Sequence, residues 1–224
     1  VIAIVLLMLV NWGIEARKWQ FLIRKIEEIP YIKAYKATLT GVAVSSFTPN
    51  RIGDYLGRVF ILEKGNRIQG VLITIIGSIA QFLTTFIAGT LSVAIMVLIY
   101  RDPISEYMGM SMKSFYFAYA SVGLLTILIY FYSILLFLNV SVINDLNERL
   151  LGRKSRKLER YLKVFSLFRK RELLKVLYFS AWRFLVFTIQ FYILLLVFKV
   201  NIPLIAGMMI ISIVFLAVTV MPTI

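Results

Sequence analysis

Long apolar runs separated by short polar segments dominate this chain, and four of the runs are long enough to cross a bilayer. The runs cover residues 68–100, 115–138, 177–198 and 203–220. An apolar helix of about 20 residues spans the ~30 Å hydrocarbon core of a membrane. The pattern therefore predicts an all-α fold, a polytopic bundle of membrane helices. Run 68–100 would form a helix of about 50 Å, so we expect it to tilt, to kink or to project from the bilayer.

The distribution of apolar residues divides the first thirty residues into two parts. Residues 1–10 are apolar throughout and predict half of a first membrane helix. In residues 11–30, apolar side chains recur at spacings of three and four, and most charged side chains fall between them. This pattern predicts an amphipathic helix that ends at Pro30 and lies in the membrane interface, with its basic residues toward anionic lipid. The alternative is a plain polar flank of the first membrane helix.

Residues 33–62 are predicted to form a re-entrant helical hairpin. The apolar stretch 33–48 is shorter than a membrane span, so it should enter partway and return through residues 55–62. The predicted turn contains residues that interrupt helices, namely Thr48, Pro49, Asn50 and Gly53. A broken backbone at membrane depth must be buried in protein or face water. The alternative is a cytoplasmic loop with a surface helix.

Composition restricts the class of protein and its chemistry. Hydrophobic residues make up 60% of the chain and charged residues 16%, whereas a soluble domain has about 25% charged residues. Cysteine and histidine are both absent. The chain therefore has no disulfide, no thiolate nucleophile and no imidazole base or metal ligand. We expect neither a metal ion nor another cofactor, and we predict no catalytic residue.

Positive charge is concentrated in two segments. Residues 11–67 contain ten Lys and Arg against five acidic residues, and residues 139–176 contain eleven against four. The turn at 101–114 has two of each sign. Because cytoplasmic loops of membrane proteins carry an excess of Lys and Arg, both basic segments should be cytoplasmic in a multi-pass protein of the plasma (inner) membrane. Anionic lipid also explains the net charge of +14 better than nucleic acid does.

Two motifs near the start of the chain resemble those of one membrane protein family. They read Asn11-Trp12-x-x-Glu15-Ala16-x-Lys18-Trp19 and Gly41-x-x-x-Ser45-Ser46-x-Thr48-Pro49-Asn50-Arg51-x-Gly53-Asp54-Tyr55-x-x-Arg58. This combination resembles the lysylphosphatidylglycerol synthase transmembrane family, a flippase-like membrane region found alone or joined to a lipid-aminoacylating enzyme. The family usually has Glu at the position of Asp54. The resemblance implies one flippase-like domain, residues 1–224, and we expect this chain to be truncated at both ends.

Four charged residues beside or within the apolar runs are candidates for binding a lipid headgroup: Arg51, Asp54, Arg58 and Arg183. Arginine suits phosphate because its planar group donates two parallel hydrogen bonds. Asp54 would orient an arginine or contact a cationic headgroup; alternatively, it pairs with Arg51 or Arg58 to stabilise the hairpin. Arg183 shares a helix face with Gln190. It either faces a polar cavity or extends to the headgroups at the membrane surface.

The resemblance implies a domain that binds or translocates membrane lipids, with an anionic or aminoacylated phospholipid or another lipid-phosphate as the partner. A homo-oligomer is compatible with these features. One alternative is a membrane-embedded enzyme, or an enzyme subunit, for lipid-linked glycosyl transfer. Another is a non-catalytic scaffold. The sequence has no glycine-rich phosphate loop and no acidic metal pair, so transport or lipid handling is favoured over catalysis.

Overall fold

The computed structural model describes residues 2–48, 52–63, 65–140, 161 and 163–221, and all regular elements within these ranges are helical. The elements in chain order are α1 (Ile2–Ile23), α2 (Tyr31–Ser45), α3 (Ile52–Val59), α4 (Arg67–Ile99), α5 (Arg101–Tyr107), α6 (Met112–Leu138), a 3₁₀ helix (Lys163–Leu167), α7 (Lys170–Val197) and α8 (Leu204–Val220). Helices α4, α6 and α7 are long and apolar enough to cross a membrane, and α8 is a shorter apolar helix of 17 residues. The predicted all-α membrane bundle is confirmed.

The predicted boundary at residue 11 is wrong, because α1 is one continuous helix from Ile2 to Ile23. Lys18 and Trp19 are each 1% exposed, so neither side chain lies against lipid headgroups. The indole Nε1 of Trp19 donates to Thr74 Oγ1 of α4 at 3.0 Å. The amphipathic pattern of α1 therefore reflects polar partners inside the protein, and a helical period alone does not distinguish such partners from headgroups.

Helices α1 and α7 run antiparallel along most of their lengths. Near the start of α1, the amide Nε2 of Gln190 donates to the carbonyl oxygen of Ile4 at 3.2 Å. Just after its end, Lys25 forms an ion pair with Glu172 of α7 at 2.8 Å. Lys25 and Glu172, which belong to the predicted basic segments 11–67 and 139–176, therefore meet at one end of the bundle, which is called the basic end below. Helix α7 begins seven residues before the predicted position because Glu172 also accepts the backbone N–H of Arg169 at 2.9 Å.

Small residues on α4 allow close helix contacts. A Cβ atom added at Gly77 would lie 3.2 Å from Leu22 of α1, and one at Gly89 would lie 2.5 Å from Leu216 of α8. Ala80, between them, is fully buried. Helix α4 therefore serves as the central packing surface for α1 and α8.

Helices α2 and α3 form the predicted helical hairpin. Their backbones touch at two glycines, since a Cβ atom on Gly57 would lie 2.9 Å from Gly41 Cα. Both helices reach the basic end, where Lys33 and Glu63 form an ion pair at 2.8 Å. The hairpin thus returns to the end from which it entered. Helix α2 has 15 residues and is about 22 Å long, which is shorter than a span.

The turn of the hairpin is described only in part. Thr48 Oγ1 accepts the backbone N–H of Gly53 at 2.8 Å, which satisfies one free donor at the start of α3. Thr48 and Gly53 therefore form the hydrogen bond that caps the start of α3 after the helix break. The predicted turn residues Pro49 and Asn50, and the candidate Arg51, lie outside the described residues.

Candidate functional site

A cavity of about 820 Å³ lies between α1, the hairpin, α4, α7 and α8. Apolar residues line part of its wall. Its charged lining residues are Glu15, Lys18, Asp54, Arg58 and Arg183. Three predicted candidates therefore meet at one site, together with two charged residues of α1 that were not predicted as site residues.

Glu15 is the hub of this charged cluster. Its Oε1 accepts from Arg58 Nη1 at 2.7 Å. Its Oε2 lies 2.8 Å from Lys18 Nζ and 3.1 Å from Arg183 Nη1. These two Oε2 contacts have the distances of ion pairs but not the geometry of hydrogen bonds. One carboxylate of α1 thus contacts cations from α1, α3 and α7.

Arg58 is fully engaged within the protein. Its Nε and Nη2 donate to the two carboxylate oxygens of Asp54 at 2.9 and 2.8 Å, and its Nη1 is taken by Glu15. Arg58 is 4% exposed. The forked contact uses both oxygens of Asp54. This pair is compatible with two of the three predicted roles of Asp54, orienting an arginine and stabilising the hairpin, and the choice between them stays a prediction. Because Arg58 also contacts α1, these ion pairs attach the hairpin to the bundle.

Arg183 lies in the interior of the bundle, at the middle of α7. Its Nε donates to Asn11 Oδ1 at 3.0 Å, and Asn11 Nδ2 donates back to the carbonyl oxygen of Arg183 at 3.4 Å. The prediction that Arg183 faces a cavity is confirmed. Thirteen residues of α7 precede it, a distance of about 20 Å. The contacts of its guanidinium group with Asn11 and Glu15 favour the cavity over headgroups at the membrane surface.

Arg183 also keeps a free donor. Among the described residues, its Nε and Nη1 have partners and its Nη2 has none. Its side chain is 30% exposed, against 5% for Arg58. Arg183 is therefore the arginine of the described cluster that can bind a ligand without losing a partner.

Lys18 is held by neutral groups as well as by Glu15. Its Nζ donates to the carbonyl oxygen of Gly77 at 3.3 Å and to Ser180 Oγ at 3.5 Å. A buried ammonium needs such partners, since burial of an unpaired charge is strongly unfavourable. The described charged residues that line the cavity thus comprise three cations and two carboxylates, with one excess positive charge.

The sequence contained a signal for the α1 part of the site. Asn11, Glu15 and Lys18 are spaced by four and three residues, which places them on one helix face. They also stand in the first motif of the family resemblance. The apolar spacing of residues 11–30 predicts an interfacial helix, and the partners of the polar face are visible only with α7 and the hairpin beside it.

Oxygen ligands for a metal ion are not grouped here. Within the described ranges, no set of three or more acidic side chains is close enough to hold a metal. Both carboxylates of the cavity are occupied by cations of the protein. The arrangement can recognise charge by hydrogen bonds and ion pairs.

The family comparison extends the motif resemblance to the entire chain. A family model described as the lysylphosphatidylglycerol synthase TM region matches residues 1–224. Searches of curated proteins and of solved structures each found no significant match. The matched region includes α1, the hairpin and α7, which together supply the charged cluster. The chain therefore belongs to the lysylphosphatidylglycerol synthase transmembrane family.

Proposed function

We propose that this domain binds the phosphate of a membrane lipid in the cavity and translocates that lipid across the membrane. One observation carries the proposal: the described charged cluster has an excess cation, and it faces a polar cavity inside a bundle of apolar helices. The negative charge of a phosphate would balance that excess. A lipid headgroup is the common source of phosphate at membrane depth.

Arg183 is the proposed contact for the phosphate. Its free Nη2 and partial exposure suit a ligand oxygen, and guanidinium groups match phosphate geometry. Arg51 remains a further candidate from the sequence. Arg58 and Asp54 satisfy each other, so their proposed role is to hold the hairpin as one wall of the cavity.

A non-catalytic scaffold is the second candidate function, and the closed network around Arg58 favours it. All three nitrogens of that guanidinium have partners in the protein. A scaffold would need these ion pairs only for stability. It would not need the free donor of Arg183, so that donor distinguishes the two candidates.

Lipid translocation is expected when the purified protein is reconstituted into liposomes. A headgroup-labelled phospholipid should reach the opposite leaflet at least about tenfold faster than in protein-free liposomes. Arg51→Ala should reduce the rate, and Arg51→Lys should reduce it less, because lysine keeps the charge but not the planar pair of donors. Folded protein that leaves the rate at the protein-free level would contradict the proposal and favour the scaffold.

The proposed orientation places the basic end in the cytoplasm, in a multi-pass protein of the plasma membrane. The chain has no cysteine, so single cysteines can be introduced for labelling. Tyr107→Cys lies on α5 at a 93% exposed position, and Ser166→Cys lies exposed in the 3₁₀ helix. An impermeant maleimide added to intact cells should label position 107 and spare position 166 until the cells are opened. Equal labelling of both in intact cells would contradict this topology.

A further inference from the structure

Three methionines alternate along the turn between α5 and α6, outside the charged cavity. The segment reads Met108-Gly109-Met110-Ser111-Met112. Met108 and Met112 are 59% and 36% exposed, and Met110 is partly exposed. None of the three methionines lines the cavity. The turn thus presents three thioether groups at the surface of the protein, in a place unrelated to the proposed lipid binding.

The backbone of this turn is fixed by a Schellman motif at the end of α5. Gly109 has a φ of 62°, which glycine adopts without strain because it has no Cβ atom. Its N–H donates to the carbonyl oxygen of Glu106 at 3.0 Å, and the N–H of Met110 donates to the carbonyl oxygen of Ser105 at 2.9 Å. The chain therefore turns back tightly, and the side chains of the turn start from fixed positions.

Ser105 of α5 lies at the centre of the three methionines. Met108 follows Ser105 by three residues, which places both on one face of the helix end. The backbone of Met110 is bound to the carbonyl oxygen of Ser105. Ser105 Oγ donates to Met112 Sδ at 3.3 Å, so the sulfur of Met112 lies against α5. One buried serine thus gathers methionines from the end of α5, from the turn and from the start of α6.

Thioether sulfur is a soft, uncharged ligand, which suits Cu(I) and does not suit hard cations such as Mg²⁺ or Ca²⁺. Methionine is unbranched and flexible, so it can turn its sulfur toward an ion. Alternate residues have Cα atoms at most about 7 Å apart, so three methionines spaced in this way can reach one ion between them. The expected absence of a metal ion rests on the lack of cysteine and histidine, and it does not cover thioether ligands.

We infer that Met108, Met110 and Met112 form a binding site for a soft monovalent cation, Cu(I), with three sulfur ligands and one ion per chain. The site joins the end of α5 to the start of α6. Helix α4, with its 33 residues, separates the site from the basic end. In the proposed orientation, the site is therefore open to ions on the outer side of the membrane.

Silver(I) is a convenient probe of this site, because it shares the preference of Cu(I) for sulfur and needs no reductant. Calorimetric titration of the purified protein in detergent with Ag⁺, in a chloride-free buffer, should show one saturable site per chain. Met108→Leu, Met110→Leu and Met112→Leu nearly conserve side-chain volume, and each should weaken binding about tenfold. The triple variant should lose the site. Ag⁺ should raise the unfolding midpoint of the wild type and not that of the triple variant.

Met208→Leu is the matched control. Met208 lies in the second turn of α8, and its neighbour Met209 points to a different side of that helix, so the pair does not offer the same ligand set. This variant should bind Ag⁺ like the wild type. X-ray absorption at the copper edge, on wild-type protein loaded with Cu(I) under ascorbate, should show sulfur as the ligand. A spectrum dominated by oxygen or nitrogen ligands would contradict the inference.

Three other results would overturn the inference. Unchanged affinity of the triple variant for Ag⁺ would show that the ion is held elsewhere, and folded wild-type protein without a saturable site would show that there is none. Displacement of Ag⁺ by Ca²⁺ would show that the ligands are hard oxygens, such as the exposed carboxylates of Asp102 and Glu106 on α5. Lipid translocation by the triple variant should equal that of the wild type, so this inference and the proposed function fail separately.

Discussion

Glu15→Gln is expected to destabilise the folded domain by about 3–5 kcal/mol, the typical effect of removing one partner from a buried ion pair. Glu15 contacts Lys18, Arg58 and Arg183. Its replacement by a neutral amide would leave three cations beside the single carboxylate of Asp54. The change can be measured as a lower midpoint of thermal or denaturant unfolding in detergent.

Two further variants identify the cause of that destabilisation. Lys18→Met removes a cation that is 1% exposed, so in the Glu15→Gln background it should recover part of the lost stability. Glu63→Gln is the control, since Glu63 pairs with Lys33 but is 74% exposed; its effect should be below about 1 kcal/mol. If Glu15→Gln is no more harmful than Glu63→Gln, the cluster does not stabilise the fold.

Arg183→Leu is expected to abolish lipid translocation and to leave the domain folded. Glu15 would still have Lys18 and Arg58 as partners, so no carboxylate becomes unpaired. The loss of the bond to Asn11 should cost about 1–2 kcal/mol. The site would lose both its free donor and its excess charge. Translocation in proteoliposomes and unfolding in detergent should be measured on the same preparations.

Variants at other arginines show whether this effect is specific. Arg183→Lys should retain part of the activity, because the charge remains but the planar donors are lost. Arg101→Leu is the control, since Arg101 is half-exposed at the opposite end of the bundle and lies outside the cavity. Arg101→Leu should transport like wild type. Wild-type transport by Arg183→Leu would refute the role of Arg183 in the lipid path.

The sequence alone determined where the long apolar helices and the hairpin lie. Long apolar runs predict membrane helices because an exposed backbone in lipid must satisfy its own hydrogen bonds, and α4 and α6 lie within three residues of their predicted ends. The hairpin followed from local chemistry, since a helix break near Thr48 and Gly53 needs no distant partner. Arg183 stood out because a lone charge in an apolar run requires a polar partner.

The tertiary structure decided which charges meet. Glu15 and Arg58 are 43 residues apart, and Asn11 and Arg183 are 172 apart. Helical spacing shows that Asn11, Glu15 and Lys18 share a face of α1, but it does not show what that face contacts. Lipid headgroups and buried ion pairs can both supply partners for the polar side chains on one helix face. The helical spacing of these side chains is therefore compatible with an interfacial helix and with the centre of a binding site. Only the packing of α7 and the hairpin against α1 distinguishes them, because that packing removes the stripe from solvent and supplies its counter-charges.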